Sequence, residues 1–346
     1  MVMVNIKDIM SIPLLEQHIA EGNVFFRQKG DLSVYKYSKT LPYKNIWDEV
    51  TTQTRGLIVH DSGEIVGRGF NKFFNLSQHS EGEVDLDADG IIMDKMDGSL
   101  GIAFHYDGQW IVSTQGSFDS EQAVHATELF RAQYNDTPVV DGMALMVEII
   151  YPGNRIVCNY GDMDDLVLLG GMTNDGQWVH PDDIDFAGPK VPLRNGNIRD
   201  ALNEPDPENG FEGFVIRQNN GFMVKIKFPH YMHLHRSMFT LNHNVVFDSI
   251  VNGNVAEFAA SLPDEAYVEF NNYRNTIESM FTEVNDKIDF YGSMIPEGDR
   301  KSKAQWVGSN VPSQYRNLVI SKFIAHNDIG VSVARIVKKM MVNHYK

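Results

Sequence analysis

The sequence predicts an α+β protein, in which a domain of antiparallel sheets with helices at residues 1–235 precedes an all-helical domain at residues 236–346. Two observations support this division. Up to Lys227, the apolar residues form short runs that alternate with polar positions or end in tight turns, as strands and hairpins do. From Tyr231 onward the alternation stops, and apolar residues recur with the spacing of a helix.

The first strands are predicted at residues 33–39, 54–60 and 64–67. Residues 33–39 alternate in polarity until Pro42 breaks the pattern, and residues 54–60 form an apolar run. An Asp-Ser-Gly turn leads from that run into residues 64–67. The last two strands are therefore predicted to form a hairpin.

Residues 91–106 predict a strand, a turn and a second strand. The first apolar run ends at Lys95, and Asp97-Gly98 forms the turn. A lysine amine held against a turn can act as a covalent nucleophile when burial or neighbouring cations favour its neutral form. On this stretch alone, an ordinary solvated hairpin lysine is an equal alternative.

The middle of the chain predicts strands at residues 109–114, 145–151 and 166–172 and a helix at residues 121–134. The second of these strands carries Glu148 among apolar neighbours, and burying a carboxylate is costly unless it is paired. Residues 212–217 and 222–227 predict a further hairpin, because an Asn-Asn-Gly turn joins them.

The C-terminal part predicts helices at residues 256–262, 265–290, 314–325 and 331–343. Its last 48 residues, from Asp299 to Lys346, hold nine lysines or arginines and two acids, a local excess of +7. The whole chain, in contrast, has a net charge of −16, which argues against non-specific coating of nucleic acid. The basic excess is therefore either a local nucleic-acid surface or the solvated face of a helix.

Composition narrows the class of protein further. With 346 residues, 42% hydrophobic and 22% charged, the chain has the make-up of a soluble protein of about two domains. It has no run of 18 apolar residues, so no membrane span is expected. The single cysteine, Cys158, excludes an internal disulfide and a cysteine-based zinc site. We therefore expect a cytoplasmic protein, and no obligate protein partner is evident.

Charged residues recur at the predicted strands, namely Lys95, Glu148, Glu212, Lys225 and Lys227. Lys225 and Lys227 share one face of their strand, because side chains in a strand repeat every two residues. Upstream, Arg55 and Lys72 add two cations. A buried salt-bridge cluster without a chemical role is the alternative interpretation of this set.

The order and spacing of these motifs resemble those of covalent nucleotidyltransferases, which include ATP-dependent ligases and RNA capping enzymes, over about residues 50–231. A more specific set of motifs runs through the same residues, namely Arg55-Gly56, Lys72-Phe73-Phe74-Asn75, Lys95-Met96-Asp97-Gly98-Ser99, Gly116-Ser117, Glu148, Asn154-Arg155-Ile156-Val157, Glu212-Gly213-Phe214-Val215 and Lys225-Ile226-Lys227. By these motifs the chain resembles, more narrowly, the RNA ligase 1 family, the tRNA-repairing ATP-dependent RNA ligases of T-even bacteriophages.

The resemblance implies a nucleotidyltransferase (adenylyltransferase) domain at residues 1–235 and a helical RNA-specificity domain at residues 236–346. The C-terminal segment shows no motif that aligns with the family. Its helical character suits the family better than the β-barrel that follows the last lysine motif of DNA ligases and capping enzymes. A second departure is Gln115, which stands where the family often has a lysine before the Gly-Ser pair.

The resemblance also implies roles for individual residues, with ATP and Mg²⁺ or Mn²⁺ as cofactors. Lys95 would attack the α-phosphate of ATP to form lysyl-AMP, and Lys225 and Lys227 would offset the charge on that phosphate. The other expected contacts are Arg55 and Lys72 to the β- and γ-phosphates, Glu212 to the metal ion, Glu148 to the ribose hydroxyls and Val215 to the adenine, with Phe74, Asp97 and Gly98 completing the nucleotide site.

The expected activity is ATP-dependent joining of RNA 3′-hydroxyl and 5′-phosphate ends in RNA repair, with tRNA as a candidate substrate. The site of action would be the host-cell cytoplasm if the chain is phage-encoded. The alternative is another covalent nucleotidyltransferase, a DNA ligase or a capping guanylyltransferase, although no strand-rich segment follows Lys227. A third hypothesis is a catalytically idle nucleotide-binding or RNA-binding module. It is disfavoured by the intact charged residues, namely Lys95, Glu148, Glu212, Lys225 and Lys227.

Overall fold

The computed structural model describes residues 4–207, 211–232, 241–262 and 266–345. The chain divides into two compact units, Met1–Met238 and Phe239–Lys346. The predicted α+β class is confirmed, since the described residues of the first unit form sheets with helices and those of the second form helices. The predicted boundary between residues 235 and 236 lies outside the described residues.

The described strands of the first unit are β1 (Val24–Lys29), β2 (Leu32–Tyr37), β3 (Arg55–His60), β4 (Ile65–Gly67), β5 (Phe74–Asn75), β6 (Gly90–Asp94), β7 (Ser99–Tyr106), β8 (Gln109–Thr114), β9 (Met143–Ile150), β10 (Asp165–Thr173), β11 (Trp178–Val179), β12 (Leu193–Gly196), β13 (Gly213–Gln218) and β14 (Met223–Lys227). Its α-helices include α1 (Ile12–Ala20), α2 (Leu41–Lys44), α3 (Glu49–Gln53), α4 (Glu121–Gln133) and α5 (Ile198–Asn203), and short 3₁₀ turns lie at Ile6–Asp8, Leu76–Gln78, Pro152–Asn154 and Pro181–Asp183.

These strands form three sheets, with the orders β1-β2-β3-β4, β11-β10-β9-β7-β8 and β12-β6-β13-β14-β5. We call them the first, second and third sheets. All the pairings within them are antiparallel except β14 with β5, which is parallel. The predicted hairpins β3–β4 and β13–β14 are confirmed.

The strands on either side of Lys95 form as predicted, but they do not pair with each other. Strand β6 pairs with β12 and β13 in the third sheet, whereas β7 pairs with β8 and β9 in the second sheet. Residues 95–98 are therefore the connection from one sheet to the other. Lys95 therefore lies at the junction of two sheets and not at the tip of a hairpin. Each of the two strands buries its apolar residues in its own sheet.

Helix α4 covers one face of the second sheet. Ser120 caps it by accepting a hydrogen bond from the Ala123 amide, which satisfies a donor of the first turn. Its buried face presents Ala126 and Phe130, and the Phe130 ring lies 4.8 Å from that of Trp110 on β8. This core fixes the sheet whose strand β9 carries Glu148.

The second unit contains α6 (His243–Asn252), α7 (Val255–Ser261), α8 (Tyr267–Ser293), α9 (Arg300–Asn310), α10 (Ser313–Val319) and α11 (Gly330–His344), with a π-helical turn at Ile320–Ile324. Three of these helices, α7, α8 and α11, were predicted within three residues of their bounds, and the helix predicted at residues 314–325 covers both α10 and the π-helical turn that follows it. Helices α6 and α9 were not predicted. In α9 the polar residues dominate and one residue, Val307, is buried, so the helical apolar pattern is weak. No helix in the described ranges is long and apolar enough to cross a membrane.

Candidate active site

The third sheet brings Lys95, Glu212 and Lys227 together at the ends of three neighbouring strands. Strand β13 lies between β6 and β14 and runs antiparallel to both. The start of β13 therefore lies beside the ends of its two neighbours. Glu212 immediately precedes β13, Lys95 immediately follows β6 and Lys227 ends β14. The amide of Lys95 also donates a hydrogen bond to the Gly213 carbonyl at 2.8 Å, which holds the end of β6 against the start of β13.

One carboxylate oxygen binds both lysines. Oε1 of Glu212 lies 2.9 Å from Nζ of Lys95 and 2.7 Å from Nζ of Lys227. The Glu212 side chain is 3% exposed, that of Lys227 is 9% exposed, and that of Lys95 is 23% exposed. A buried carboxylate needs such partners, because its charge is expensive to remove from water. Lys95 is the member of this group with the most access to solvent, and so to a ligand.

The glycine of the Glu-Gly motif is required by the backbone. Gly213 has a φ of +143°, and a Cβ atom there would lie 2.1 Å from the carbonyl oxygen of Ile226. No other residue type fits this conformation and this close approach to β14. Gly213 therefore holds Glu212 against Lys227.

Glu148 reaches the same region from the second sheet. It is buried on β9, and its Oε1 accepts a hydrogen bond from the Gly98 amide at 3.0 Å. Burial is the largest cause that raises the pKa of Glu148; the charge of Lys95 opposes the shift, the nearby carboxylates of Glu212 and Asp97 add to it, and the resulting pKa is about 7. The carboxyl group of Glu148 therefore exchanges its proton near neutral pH while lying within electrostatic range of Lys95.

Gly98 brings the two sheets close together. A Cβ atom at Gly98 would lie 2.6 Å from the carbonyl oxygen of Ile149 and 3.2 Å from Cγ of Glu148. The Lys95 to Gly98 segment therefore packs its backbone directly onto β9. A bulkier residue would push Lys95 away from Glu148.

Asp97 is engaged by the protein itself. Its Oδ2 accepts hydrogen bonds from the amides of Val157 and Cys158 at 2.8 and 2.7 Å, and its Oδ1 accepts one from the Tyr231 hydroxyl at 2.9 Å. The Asp97 amide in turn donates to the Tyr160 hydroxyl. The Asp97 carboxylate therefore holds two parts of the chain, residues 157–158 and Tyr231, against the turn that contains Lys95.

Lys225 and Val215 face each other across the β13–β14 pair. They are direct cross-strand partners, as are Gly213 and Lys227 two residues away, so all four positions lie on one face of the sheet. Both Lys225 and Val215 are half-buried. The predicted common face of Lys225 and Lys227 is confirmed by this register.

Lys72 is buried against three aromatic rings. Its Nζ lies 5.2 Å from the ring centre of Trp47, 5.4 Å from that of Phe74 and 5.8 Å from that of Tyr37. These are cation–π distances. Phe74 lies on β5 and is the parallel partner of Val224 on β14, so the Lys72 motif joins the sheet that carries Lys225.

Arg55 opens β3 in the first sheet. Its guanidinium lies 5.5 Å from the ring centre of Phe73 and donates a hydrogen bond to the Phe70 carbonyl at 3.5 Å. The structure therefore brings Arg55 to the aromatic motif that contains Lys72.

The structure also shows contacts from Tyr160 and Tyr231 to Asp97 that the sequence did not reveal. They could not be predicted, because a lone tyrosine carries no local signal.

Comparisons with known proteins find similarity to RNA ligases. Residues 53–184 match the family model described as RNA ligase. A Thermovibrio ammonificans protein named "Putative RNA ligase" is 26% identical over 315 residues, which cover 82% of each chain. The "RNA ligase" of Rhodothermus phage RM378 is 21% identical over 358 residues, covering 79% of this chain and 80% of the phage protein.

A third relative is longer. The "Putative bifunctional polynucleotide kinase/RNA ligase" of Autographa californica nuclear polyhedrosis virus is 26% identical over 246 residues, which cover 62% of this chain and 35% of the viral protein. These matches confirm the predicted resemblance to RNA ligases and, with it, the prediction that the chain is an enzyme.

Proposed function

We propose that this chain joins RNA 3′-hydroxyl and 5′-phosphate ends in an ATP-dependent reaction that passes through AMP bound covalently to Lys95. The observation that carries the proposal is the carboxylate of Glu212, shared by the amines of Lys95 and Lys227 at 2.9 and 2.7 Å. It holds a partly exposed amine in a fixed position beside a base that can take its proton, and nucleophilic catalysis by lysine needs such activation.

In the first step, the neutral amine of Lys95 attacks the α-phosphorus of ATP. The bond from Nζ to phosphorus forms, the bond from phosphorus to the bridging oxygen breaks, and pyrophosphate leaves with the electron pair. Lys95 becomes neutral by giving one proton of its ammonium group to Oε1 of Glu212, 2.9 Å away, and Nζ loses a second proton to solvent once its bond to phosphorus has formed. Lys227 and Lys225 would offset the charge that builds up on the phosphate oxygens.

In the second step, an oxygen of the RNA 5′-phosphate attacks the phosphorus of lysyl-AMP. The bond from Nζ to phosphorus breaks, and the amine recovers a proton. In the third step, the RNA 3′-hydroxyl loses its proton and attacks the phosphorus of the RNA 5′-phosphate, and AMP leaves with the electron pair. The products are a phosphodiester and AMP, so one ATP is converted to AMP and pyrophosphate for each joint.

The nucleotide would lie between the two sheets. Glu148, fixed by the Gly98 amide, would bind the ribose hydroxyls, and Val215 would pack on the adenine. Arg55 and Lys72 would hold the β- and γ-phosphates. Phe74 would support Lys72 through its ring, and Asp97 would keep the Lys95 turn in place through the three hydrogen bonds that it accepts.

Mg²⁺ or Mn²⁺ would supply positive charge to the phosphates when bound. In the ranges that the structure describes, no group of three or more histidine, cysteine, aspartate or glutamate side chains is arranged to hold a metal ion. Glu212 is therefore the protein ligand that we propose. A single carboxylate fits Mg²⁺, which keeps several waters and is bound largely by substrate phosphates.

The second unit would select the RNA, with tRNA as the candidate substrate and RNA repair as the role. Arg335, Lys338, Lys339 and Val342 lie on one face of α11, because positions three, four and seven apart are neighbours on a helix. With Asn343 they line an open groove of about 440 Å³. The three cations are exposed and fit contact with an RNA phosphate backbone.

The test is a comparison of nucleic acids and nucleotides in one assay. The protein with Mg²⁺ is given 5′-phosphorylated RNA or DNA of the same sequence, and ATP or GTP. We expect joined RNA with ATP alone. Joining of DNA in preference to RNA would favour a DNA ligase, and use of GTP would favour a capping enzyme. The described residues after Lys227 form helices and no strand, which disfavours the β-barrel of both alternatives.

A further inference from the structure

Lys36 occupies a position next to Gln115 that the sequence did not single out. A Cβ atom added at Gly116 would lie 2.7 Å from Cδ and 3.3 Å from Cβ of Lys36. The aliphatic stem of Lys36 therefore lies directly over the Gly116 backbone. Gln115, the neighbour of Gly116, is the residue that departs from the lysine expected before the Gly-Ser pair.

The first sheet also places Lys36 beside Arg55. The two residues are direct cross-strand partners of β2 and β3, and cross-strand partners have neighbouring side chains. Gly56, which follows Arg55, lies against the same loop, since a Cβ atom there would be 3.4 Å from Cα of Gln115. The end of β2, the start of β3 and the end of β8 thus meet around two cations.

The charge of Lys36 is not neutralised by the protein. Burial lowers the pKa of Lys36, and the nearby cations Arg55, Lys39 and Arg27 lower it further. Within the described ranges, Lys36 forms no ion pair and no side-chain hydrogen bond. A half-buried amine among like charges is costly for the free protein, and an anion bound there would relieve that cost.

We propose that Lys36 binds the β- and γ-phosphates of ATP together with Arg55, and so supplies the charge that Gln115 cannot. This assignment rests on the ATP-dependent reaction proposed above. The pyrophosphate portion carries several negative charges and leaves in the first step, so a cation that binds it acts on lysyl-AMP formation. It has no role in sealing RNA that already carries AMP.

The experiment compares wild-type protein with Lys36→Met, Lys36→Arg and the double variant Lys36→Met/Gln115→Lys. We expect Lys36→Met to raise the KM for ATP in lysyl-AMP formation by about 10- to 100-fold, the usual effect of one hydrogen bond to a charged group. The arginine variant should retain most of the affinity. The double variant should recover part of the affinity for ATP, because Gln115→Lys returns a lysine to the loop that contains Gly116.

One control tests whether the effect is specific to Lys36, and a second separates the phosphates of ATP from those of RNA. Lys29→Met removes an exposed lysine of the neighbouring strand β1 and should leave the KM for ATP unchanged. Sealing of pre-adenylylated RNA, which needs no ATP, should proceed at the wild-type rate in Lys36→Met. An equal loss in that assay would show that Lys36 binds the RNA and would overturn the assignment to pyrophosphate.

Binding of inorganic pyrophosphate, measured by calorimetry, tests Lys36 without any catalysis. We expect weaker binding by Lys36→Met than by wild-type protein and Lys29→Met. Equal affinities would overturn the inference even if the protein forms lysyl-AMP. A wild-type protein that takes no label from ATP would instead overturn the proposed function, so the two failures are distinguishable.

Discussion

Nζ of Lys95 lies 2.9 Å from Oε1 of Glu212, a carboxylate with a side chain that is 3% exposed. Lys227 reaches the same oxygen at 2.7 Å. Glu212 therefore neutralises two amines at once. The geometry of the proposed nucleophile depends on it.

The first prediction concerns Glu212→Gln. Loss of the carboxylate removes the buried negative charge that Lys95 and Lys227 share, so we expect the free energy of unfolding to fall by about 3–5 kcal/mol. We also expect the rate of lysyl-AMP formation to fall by roughly 10²–10³. Urea unfolding and labelling with radioactive ATP measure the two effects.

The matched control is Glu204→Gln, which breaks the exposed ion pair with Arg194, where both side chains are 41% exposed. Exposed pairs contribute at most about 1 kcal/mol, so this variant should unfold almost as the wild type does. Equal stability of the two glutamine variants would contradict a buried Glu212 that holds Lys95 and Lys227.

A second prediction concerns the pH dependence of stability. The pKa of Glu148 in the folded state, about 7, lies above its ordinary value of 4.5, so the folded state favours the protonated form. The resulting stabilisation is complete below about pH 4.5 and is lost as the pH rises through 7. Relative to Glu148→Gln, the wild type should therefore lose up to about 3 kcal/mol of unfolding free energy across this interval.

Urea unfolding at several pH values from 5 to 8 measures this difference. Glu16→Gln, at an exposed position of α1, serves as the control for the loss of one carboxylate. A pH-independent difference between the wild type and Glu148→Gln would show that the Glu148 carboxyl is not buried as the structure describes.

The Lys95, Glu212 and Lys227 group could be predicted from sequence because each residue belongs to a short motif at a strand end. Two strands joined by an Asn-Asn-Gly turn must pair, and this fixes Lys225 and Lys227 on one face. Which strand lies on the other side of β13 could not be predicted, since β6 is more than 100 residues away in the chain. The separation of β6 and β7 into two sheets was missed for the same reason.

Lys36 shows a different limit of sequence reasoning. Its position over Gly116 results from the β2–β3 register and from the packing of β8 against the first sheet, neither of which leaves a local pattern. Strand β1 and helix α1 were likewise not predicted. Strand β1 exposes four of its six residues, so its burial pattern lacks regular alternation.

A third prediction tests the role of Asp97 in positioning. Both oxygens of the Asp97 carboxylate accept hydrogen bonds, three in total. Asp97→Asn replaces one of these oxygens with an NH₂ group, which cannot accept a hydrogen bond. We expect the free energy of unfolding to fall by about 2–3 kcal/mol. Tyr231→Phe removes one of the three bonds and should cost about 1 kcal/mol in the same urea assay. If the asparagine variant costs no more than the phenylalanine variant, Asp97 does not hold the loop.

The fourth prediction concerns the basic face of α11. Reversing the charges of Lys338 and Lys339 to glutamate should weaken RNA binding about tenfold or more and reduce the dependence of log affinity on log salt, because fewer counterions are released. Lysyl-AMP formation should stay unchanged. Filter binding at several salt concentrations measures the first two effects.

The control for this variant changes the net charge equally at exposed lysines of the first unit, with Lys7→Glu and Lys29→Glu. If the control weakens RNA binding as much as the α11 variant does, the effect is one of net charge, and α11 has no special role. Preference for a broken tRNA anticodon loop over linear RNA of similar length should decline in the α11 variant alone.

The most direct measurement of the central claim is the intact mass of the protein after incubation with ATP and Mg²⁺. The wild type should gain the mass of one AMP group, peptide mapping should place it on Lys95, and added pyrophosphate should remove it. Lys95→Arg keeps the positive charge beside Glu212 but provides no nucleophilic amine, so it should gain no mass. A wild type without added mass, or an arginine variant that still gains AMP, would contradict lysyl-AMP formation at Lys95.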